Sequence, residues 1–272
     1  MKERLTITLD ESLLRSIDAT IDGVNVRNRS HAIEQLLIAS MKHGKPRKAV
    51  VFAGGPQVIS GGRSVPVPMA VVKGRPIIDY IVDELKRNGI TEIIMAMGAN
   101  SESIIGHLGD GSGIGIAISY VIEETPRGTE GALGLVRNRV KEGPFFALNG
   151  DNIFTIDLDD LYRQHVASRA IATVALTTSG PGTRFGVTKL EGNRITSFVQ
   201  KHERSAGAEL VNAGIYLFSP EVFDFIGASR GRVMLEESLF PALVGRGKLF
   251  GYVFSGPWYS LDSARPVRTV QR

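Results

Sequence analysis

The sequence predicts an α/β protein: a large domain built on a mostly parallel sheet, preceded by a small strand-helix-helix (β-α-α) module. Three observations predict it. From about Arg47 onward, apolar runs of strand length alternate with amphipathic segments of helical period, the pattern of a sheet covered by helices. The first 43 residues run differently, as one alternating segment and then two helical ones. Between these regions "HGKPRK" holds Gly and Pro and no apolar period, so it reads as a linker. The expected boundaries are 1–43 for the module, 44–47 for the linker and 48–272 for the large domain.

In residues 3–9, "ERLTITL", Leu5, Ile7 and Leu9 fall on one face and Arg4, Thr6 and Thr8 on the other, which predicts a strand. Asp10 is placed to cap a helix in which Leu13, Leu14, Ile17 and Ile21 recur at helical spacing. Gly23 breaks that pattern. Asn28 then opens a second helix that turns Ala32, Ile33, Leu36, Leu37 and Met41 inward, with Gly44 ending it. A lone strand has two unpaired edges, and about 43 residues make a poor independent core, so a second copy of the module is the simplest partner.

The large domain follows as "AVVFAGG", "PIIDYIVDELKRNGI", "EIIMAMG", a short helix near Ser103, "IAISYVIEE", a helix after Thr129, and "PFFALNGD". After Asp151 come the helix "LDDLYRQHVAS", the strand-like "ATVALTT", "FGVTKL", "RITSFVQ" and "LVNAGIYLFS", and a closing helix and strand.

Composition narrows the chemistry. The 272 residues contain no Cys, so disulfides, thiolate zinc sites and Cys nucleophiles are excluded, and a reducing cytoplasm fits. His31, His43, His107, His165 and His202 share no ligand spacing, which argues against zinc. No apolar run approaches the roughly 20 residues of a membrane span, so no membrane partner is expected. The net charge is +4, and residues 1–48 carry nine Lys/Arg against six Asp/Glu, so most of the surplus lies at the N-terminus and suggests an acidic partner.

Residues 2–43, with Arg-x-Thr-x-Thr on one strand face and "NRSHAI" opening the second helix, resemble the ribbon-helix-helix DNA-binding family. That resemblance implies a homodimer or higher homo-oligomer whose paired strands enter the major groove of double-stranded DNA. Arg4, Thr6 and Thr8 would read bases, and the backbone N–H groups of Asn28, Arg29 and Ser30 would meet a phosphate.

The collinear motifs "VVFAGG", "RGTEGAL", "FALNGDN", "RFGV", "FVQK", "LVNAGIYLFSPEV" and "GPWYSLD" over residues 48–265 are similar to those of the sugar-phosphate nucleotidylyltransferases. The resemblance implies a Rossmann-like sheet. By that resemblance the ligand-binding positions are Gly54, Gly55, Gly128, Thr129, Asp151, Gly186, Lys201 and Asn212, with Mg²⁺ at Asp151 as the one cofactor. The family's phosphate loop carries an Arg and a Lys where this sequence has Ile59 and Val67, and Arg63 is the first cation that could replace them. Ser260 stands where the second metal carboxylate is expected, with Asp262 displaced, and Gln200 replaces an acid before Lys201.

Charge neutralisation dominates phosphoryl transfer. The sequence therefore predicts, rather than an enzyme, a transcription regulator that binds operator DNA and senses a nucleotide or nucleotide-sugar through a catalytically degenerate domain. The alternative is an active sugar-1-phosphate nucleotidylyltransferase with an accessory N-terminal dimerisation or autoregulatory module. A non-catalytic partner subunit of a transferase is a third class.

Overall fold

The computed structural model describes residues 6–24, 26–42, 45–99, 101–179, 187–199, 209–227 and 231–261. The chain divides into two compact units, Met1–Gly44 and Lys45–Arg272.

In the first unit α1 spans Glu11–Asp18 and α2 spans Arg29–Lys42. Ile17 and Ala32 are its buried apolar residues among those described, and the Arg29 guanidinium grips both oxygens of Asp18 at 2.6 and 2.7 Å. That contact holds the Asp18 carboxyl below its ordinary range. Asn28 caps α2 as expected, its Oδ1 accepting from the His31 N–H at 2.9 Å. Asp10 precedes α1 but makes no side-chain cap.

Three expectations need correction. Residues 6–9 hold no strand, because a strand needs a neighbour's donors and acceptors and the described part of this unit offers none; Arg4 lies outside the described residues. The first helix stops at Asp18, short of Ile21. Leu13, Leu36 and Leu37 are 47%, 49% and 53% exposed rather than inward, since two short helices leave apolar positions uncovered.

The second unit runs β1 (Lys48–Phe52), β2 (Gln57–Ser60), β3 (Arg63–Pro66), β4 (Val71–Val72), β5 (Arg75–Pro76), α3 (Ile77–Arg87), β6 (Glu92–Gly98), α4 (Glu102–Leu108), β7 (Ala117–Glu123), α5 (Gly128–Val140) and β8 (Phe145–Asn149). It continues with β9 (Asn152–Phe154), α6 (Leu158–Ser168), β10 (Ala172–Ser179), β11 (Val187–Glu191), β12 (Arg194–Val199), β13 (Glu209–Phe218), α7 (Leu239–Gly245), β14 (Leu249–Val253) and β15 (Trp258–Ser260). Nine of these strands form one sheet in the order β10-β14-β12-β11-β13-β8-β1-β6-β7. Strands β8, β1, β6 and β7 run parallel, and β13 joins β8 antiparallel.

Both faces of the sheet are covered, which is why its central strands read as unbroken apolar runs. Along β1, Ala49 and Val51 point into one core with Ile77, Ile78, Ile81 and Leu85 of α3 and Leu158 and Leu161 of α6. Val50 and Phe52 point into the other, with Leu133 and Val136 of α5 and Phe240 and Leu243 of α7. Helix α3 begins at Pro76 without a side-chain cap. Burying each of its four large apolar residues is worth about 1.5–3 kcal/mol, more than the ~1 kcal/mol of a cap, so packing holds it in place.

Candidate active site

Strand order reverses at β1, which has β6 on one side and β8 on the other, so a crevice opens outside the carboxyl ends of these strands. Two turns enter it. One leaves β1 through Gly54 and Gly55; the other leaves β8 through Asn149, Gly150 and Asp151. Gly150 is required by close approach. A Cβ there would lie 2.9 Å from the Phe52 carbonyl oxygen, which already accepts from the Gly150 N–H at 2.9 Å.

After Asp151 the chain forms β9, which pairs antiparallel with β15 so that Ser260 faces Asn152. This pairing carries Ser260 back to Asp151: its Oγ is 3.4 Å from Asp151 Oδ2, and the Leu261 N–H donates to the Asp151 carbonyl at 3.1 Å. The two positions at which the resemblance places metal ligands thus meet, one as carboxylate and one as hydroxyl. Asp262 lies outside the described residues.

The floor of the crevice is β13. Its pairing with β10 shifts register between Val174 and Leu176, where the three residues 174–176 of β10 oppose the longer run from Asn212 to Tyr216. Such an irregularity re-aims side chains. Within it Gly214 has φ of +70°, and a Cβ there would meet Asn152 Nδ2 at 2.4 Å and Asn149 Nδ2 at 2.6 Å. The Ala213 carbonyl accepts from both Asn152 Nδ2 and Trp258 Nε1 at 2.9 Å, which ties β9, β13 and β15 together.

Asn212 is 8% exposed and held on every side. Its Oδ1 accepts from the Gly214 N–H at 2.8 Å, and its Nδ2 donates to the Tyr216 hydroxyl and to Glu236 Oε1, each at 2.9 Å. Burial, then the neighbouring Glu236 charge, pushes the Tyr216 hydroxyl well above its ordinary pKa. Burial likewise raises the Glu236 carboxyl; bonds from its own backbone, Tyr216 and Asn212 oppose that shift, and the Glu237 charge adds to it.

The "RGTEG" segment does something its motif did not announce. Gly128, at φ +75°, sits where a Cβ would be 2.2 Å from the Val233 carbonyl oxygen. Thr129 Oγ1 accepts from the Leu235 N–H at 3.0 Å, and buried Glu130 accepts from the Leu239 N–H at 3.1 Å. Gly128 and Thr129 therefore clamp residues 233–239, the segment that carries Glu236. Glu236 escapes a reading of the sequence because it lies outside every family motif; the available signal is an acid next to buried Leu235, weakened by the polar Glu237 and Ser238 that follow it.

The loop after Gly55 is a hairpin in which β2 pairs β3 across Gly61 and Gly62, both at positive φ, and Arg63 is exposed beside the turn. Val58 packs on the core and Ile59 points out, so no cation precedes Arg63 on this arm. Gly186 and Lys201 lie outside the described residues. Of the proposed DNA-contacting residues that are described, Thr6 and Thr8 have no strand to display them, Arg29 is engaged by Asp18, Asn28 caps its own helix, and Ser30 lies exposed in the first turn of α2.

A model of the nucleotidyl transferase family matches residues 48–261. The chain is 33% identical over 224 residues to a mannose-1-phosphate guanylyltransferase of Mycobacterium tuberculosis, covering 79% of this chain and 61% of that protein. It is 31% identical to probable mannose-1-phosphate guanylyltransferase 1 of Oryza sativa subsp. japonica, covering 83% and 64%. Against a D-glycero-alpha-D-manno-heptose 1-phosphate guanylyltransferase of Aneurinibacillus thermoaerophilus it is 27% identical over 83% of this chain and 97% of that one. The chain thus spans less than two thirds of the first two relatives. Among solved structures, HddC of Yersinia pseudotuberculosis superposes with a TM-score of 0.68 at 20% identity, covering 79% of this chain and 94% of that one, which supports the fold.

These findings overturn the expectation of a DNA-binding transcription regulator. Relatives matching about four fifths of the chain bear the names of transferases. With its crevice at the strand reversal, its Asp151–Ser260 pair and a family match over residues 48–261, the chain belongs to the nucleotidyl transferase family.

Proposed function

We propose that the second unit transfers a nucleotidyl group from a nucleoside triphosphate to a sugar 1-phosphate. A phosphate oxygen of the sugar attacks the α-phosphorus, the bond to the bridging oxygen of the β-phosphate breaks, and pyrophosphate leaves. Guanine nucleotide and a manno-configured sugar are the first pair to test, because several relatives carry those names. The observation that carries the reading is the Asp151 carboxylate, brought against Ser260 at the carboxyl ends of the strands over a polar floor.

The family implies Mg²⁺. Among the described residues no group of three His or acidic ligands exists, and Asp151 and Ser260 offer hard oxygens only. That donor set fits an ion that draws its remaining ligands from water and substrate phosphates. When bound, it would neutralise phosphate charge. Of the chain's own residues, Asp151 would hold the ion, and Arg63 would supply the cation that the rest of the loop lacks.

The test is pyrophosphate release by the intact protein with GTP, ATP, UTP and dTTP against hexose 1-phosphates. Turnover that falls on the order of 100-fold in Asp151→Asn supports the reading. Binding of nucleotide-sugar without turnover on any pair overturns it.

The first unit serves, in this reading, as an accessory module through which copies of the chain associate. Exposed Leu13, Leu36 and Leu37 on a unit with so small a buried core support it.

A further inference from the structure

Gln57 stands where the loop has no cation to offer. It opens β2 two residues after Gly55, beyond the carboxyl end of β1, and it is none of the positions to which the resemblance gives a role. The base of its hairpin is fixed against the site. Gln57 pairs with Pro66, and Pro68, two residues on, lies so near the turn before Asp151 that a Cβ on Gly150 would be 3.0 Å from Pro68 Cγ. Val58 packs on the core, and Ser60 Oγ accepts from the Val71 N–H at 3.0 Å, so alternation along β2 leaves Gln57 and Ile59 on the open face. There the Ser64 hydroxyl donates to Gln57 Oε1 at 2.6 Å. With its oxygen engaged, the amide presents its other end, and the two N–H hydrogens of Nε2 have no partner among the described residues. Arg63 pairs with Ser60, three residues along β2, so it stands roughly 10 Å farther from Gly55 than Gln57 does.

We infer that the Gln57 amide, oriented by Ser64, donates its N–H groups to a phosphate oxygen of the nucleoside triphosphate beside the Gly54–Gly55 turn. The inference rests on the proposed transferase reading. It supplies neutral donors to a loop in which Ile59 and Val67 supply none. An N–H bond to an ionised oxygen is shorter and roughly twice as strong as one between neutral groups, so an amide holds a phosphate without a charge of its own. Gln57 is then a contact to the substrate. Ser64 is a positioning residue that acts through it, because without the hydroxyl nothing keeps the amide nitrogen, rather than its oxygen, turned outward.

The experiment measures Kd by calorimetry, with Mg²⁺ present, for GTP, ATP, UTP and dTTP and for the nucleoside of whichever binds tightest. The proteins are wild type, Gln57→Leu, Gln57→Glu, Ser64→Ala and the double variant Gln57→Leu/Ser64→Ala. Gln57→Leu should weaken that triphosphate on the order of tenfold or more and its nucleoside less than about twofold. Gln57→Glu keeps the shape of the side chain and the acceptor for Ser64 but turns a negative charge on the phosphate. It should weaken the triphosphate further still, and it carries the test if the Leu variant does not fold. Ser64→Ala should cost the triphosphate about threefold alone and nothing more in the Gln57→Leu background, a coupling that a hairpin merely loosened by the substitution would not show. Triphosphate affinity in Gln57→Leu within about twofold of wild type, equal losses for triphosphate and nucleoside, or a Ser64→Ala loss that persists in the double variant overturns the assignment. Pyrophosphate release by wild type then leaves the transferase reading standing. If a triphosphate binds but no pair turns over, the transferase reading falls and Gln57 is judged on the binding comparison alone. Wild type that binds none of the triphosphates overturns both.

Discussion

Gly214 shows how much of the crevice depends on one absent methylene. Its φ of +70° is costly for any other residue, and a Cβ would strike two asparagine amides at 2.4 and 2.6 Å. Gly214→Ala is expected to destabilise the protein by about 1–3 kcal/mol, read as a lower Tm, and to impair the site with it. Glu236 gives a prediction of opposite sign. Its carboxyl lies above the ordinary 4.5, mainly through burial, with Asn212, Tyr216 and Glu237 as the facing groups. The native state therefore binds that proton more tightly than the unfolded chain. The resulting stabilisation is complete below the ordinary value and is lost as pH rises through the raised one. Glu236→Gln, which never ionises, should melt higher than wild type at pH 8, with the gap narrowing towards pH 4. Calorimetry across that range checks it, and a gap independent of pH would contradict a buried, titrating carboxyl as its origin.

At the scale of elements, the segment 233–239 is held by two backbone-directed side chains of α5, Thr129 and Glu130, and by a glycine against its carbonyl. Thr129→Val removes the acceptor for the Leu235 N–H and should cost about 1 kcal/mol. Gly128→Ala places a Cβ 2.2 Å from the Val233 oxygen and should free the segment, giving faster limited proteolysis near Arg232 than in wild type. The long elements are legible in the sequence because burial on both sheet faces writes itself as apolar runs, as in "KAVVF" and "EIIMAMG". The hairpin of β2 and β3 is not. Its strands have four residues each, and a glycine-rich stretch after β1 reads as a phosphate turn before it reads as the positive-φ pair of a hairpin. Asp151 and Asn212 are legible as motif residues, whereas Glu236 joins them only through contacts spanning 24 residues of sequence. The alternation of residues 3–9 is legible as a pattern, but pattern alone supplies no pairing partner.

For the whole molecule, the two units make separable predictions. Among the described residues no helix is long and apolar enough to cross a membrane, so the leucines of the first unit are not explained by a span. Replacing Leu36 and Leu37 together with Asp should lower the mass seen by light scattering while leaving the melting of the second unit unchanged; an unaltered mass would remove this surface from self-association. The Ala213 carbonyl has a consequence for how the chain is made. It waits for Trp258, and Asp151 waits for Ser260, so groups separated in sequence by 45 and 109 residues must meet before the crevice is complete. During synthesis the strands β1, β6, β7 and β8 emerge first and can collapse on their helices, but a ribosome-bound chain that has not yet released β15 holds Asp151 without its neighbour. Competence then arrives late and at once, so a nascent chain arrested before Trp258 would have most of the fold and none of the assembled crevice.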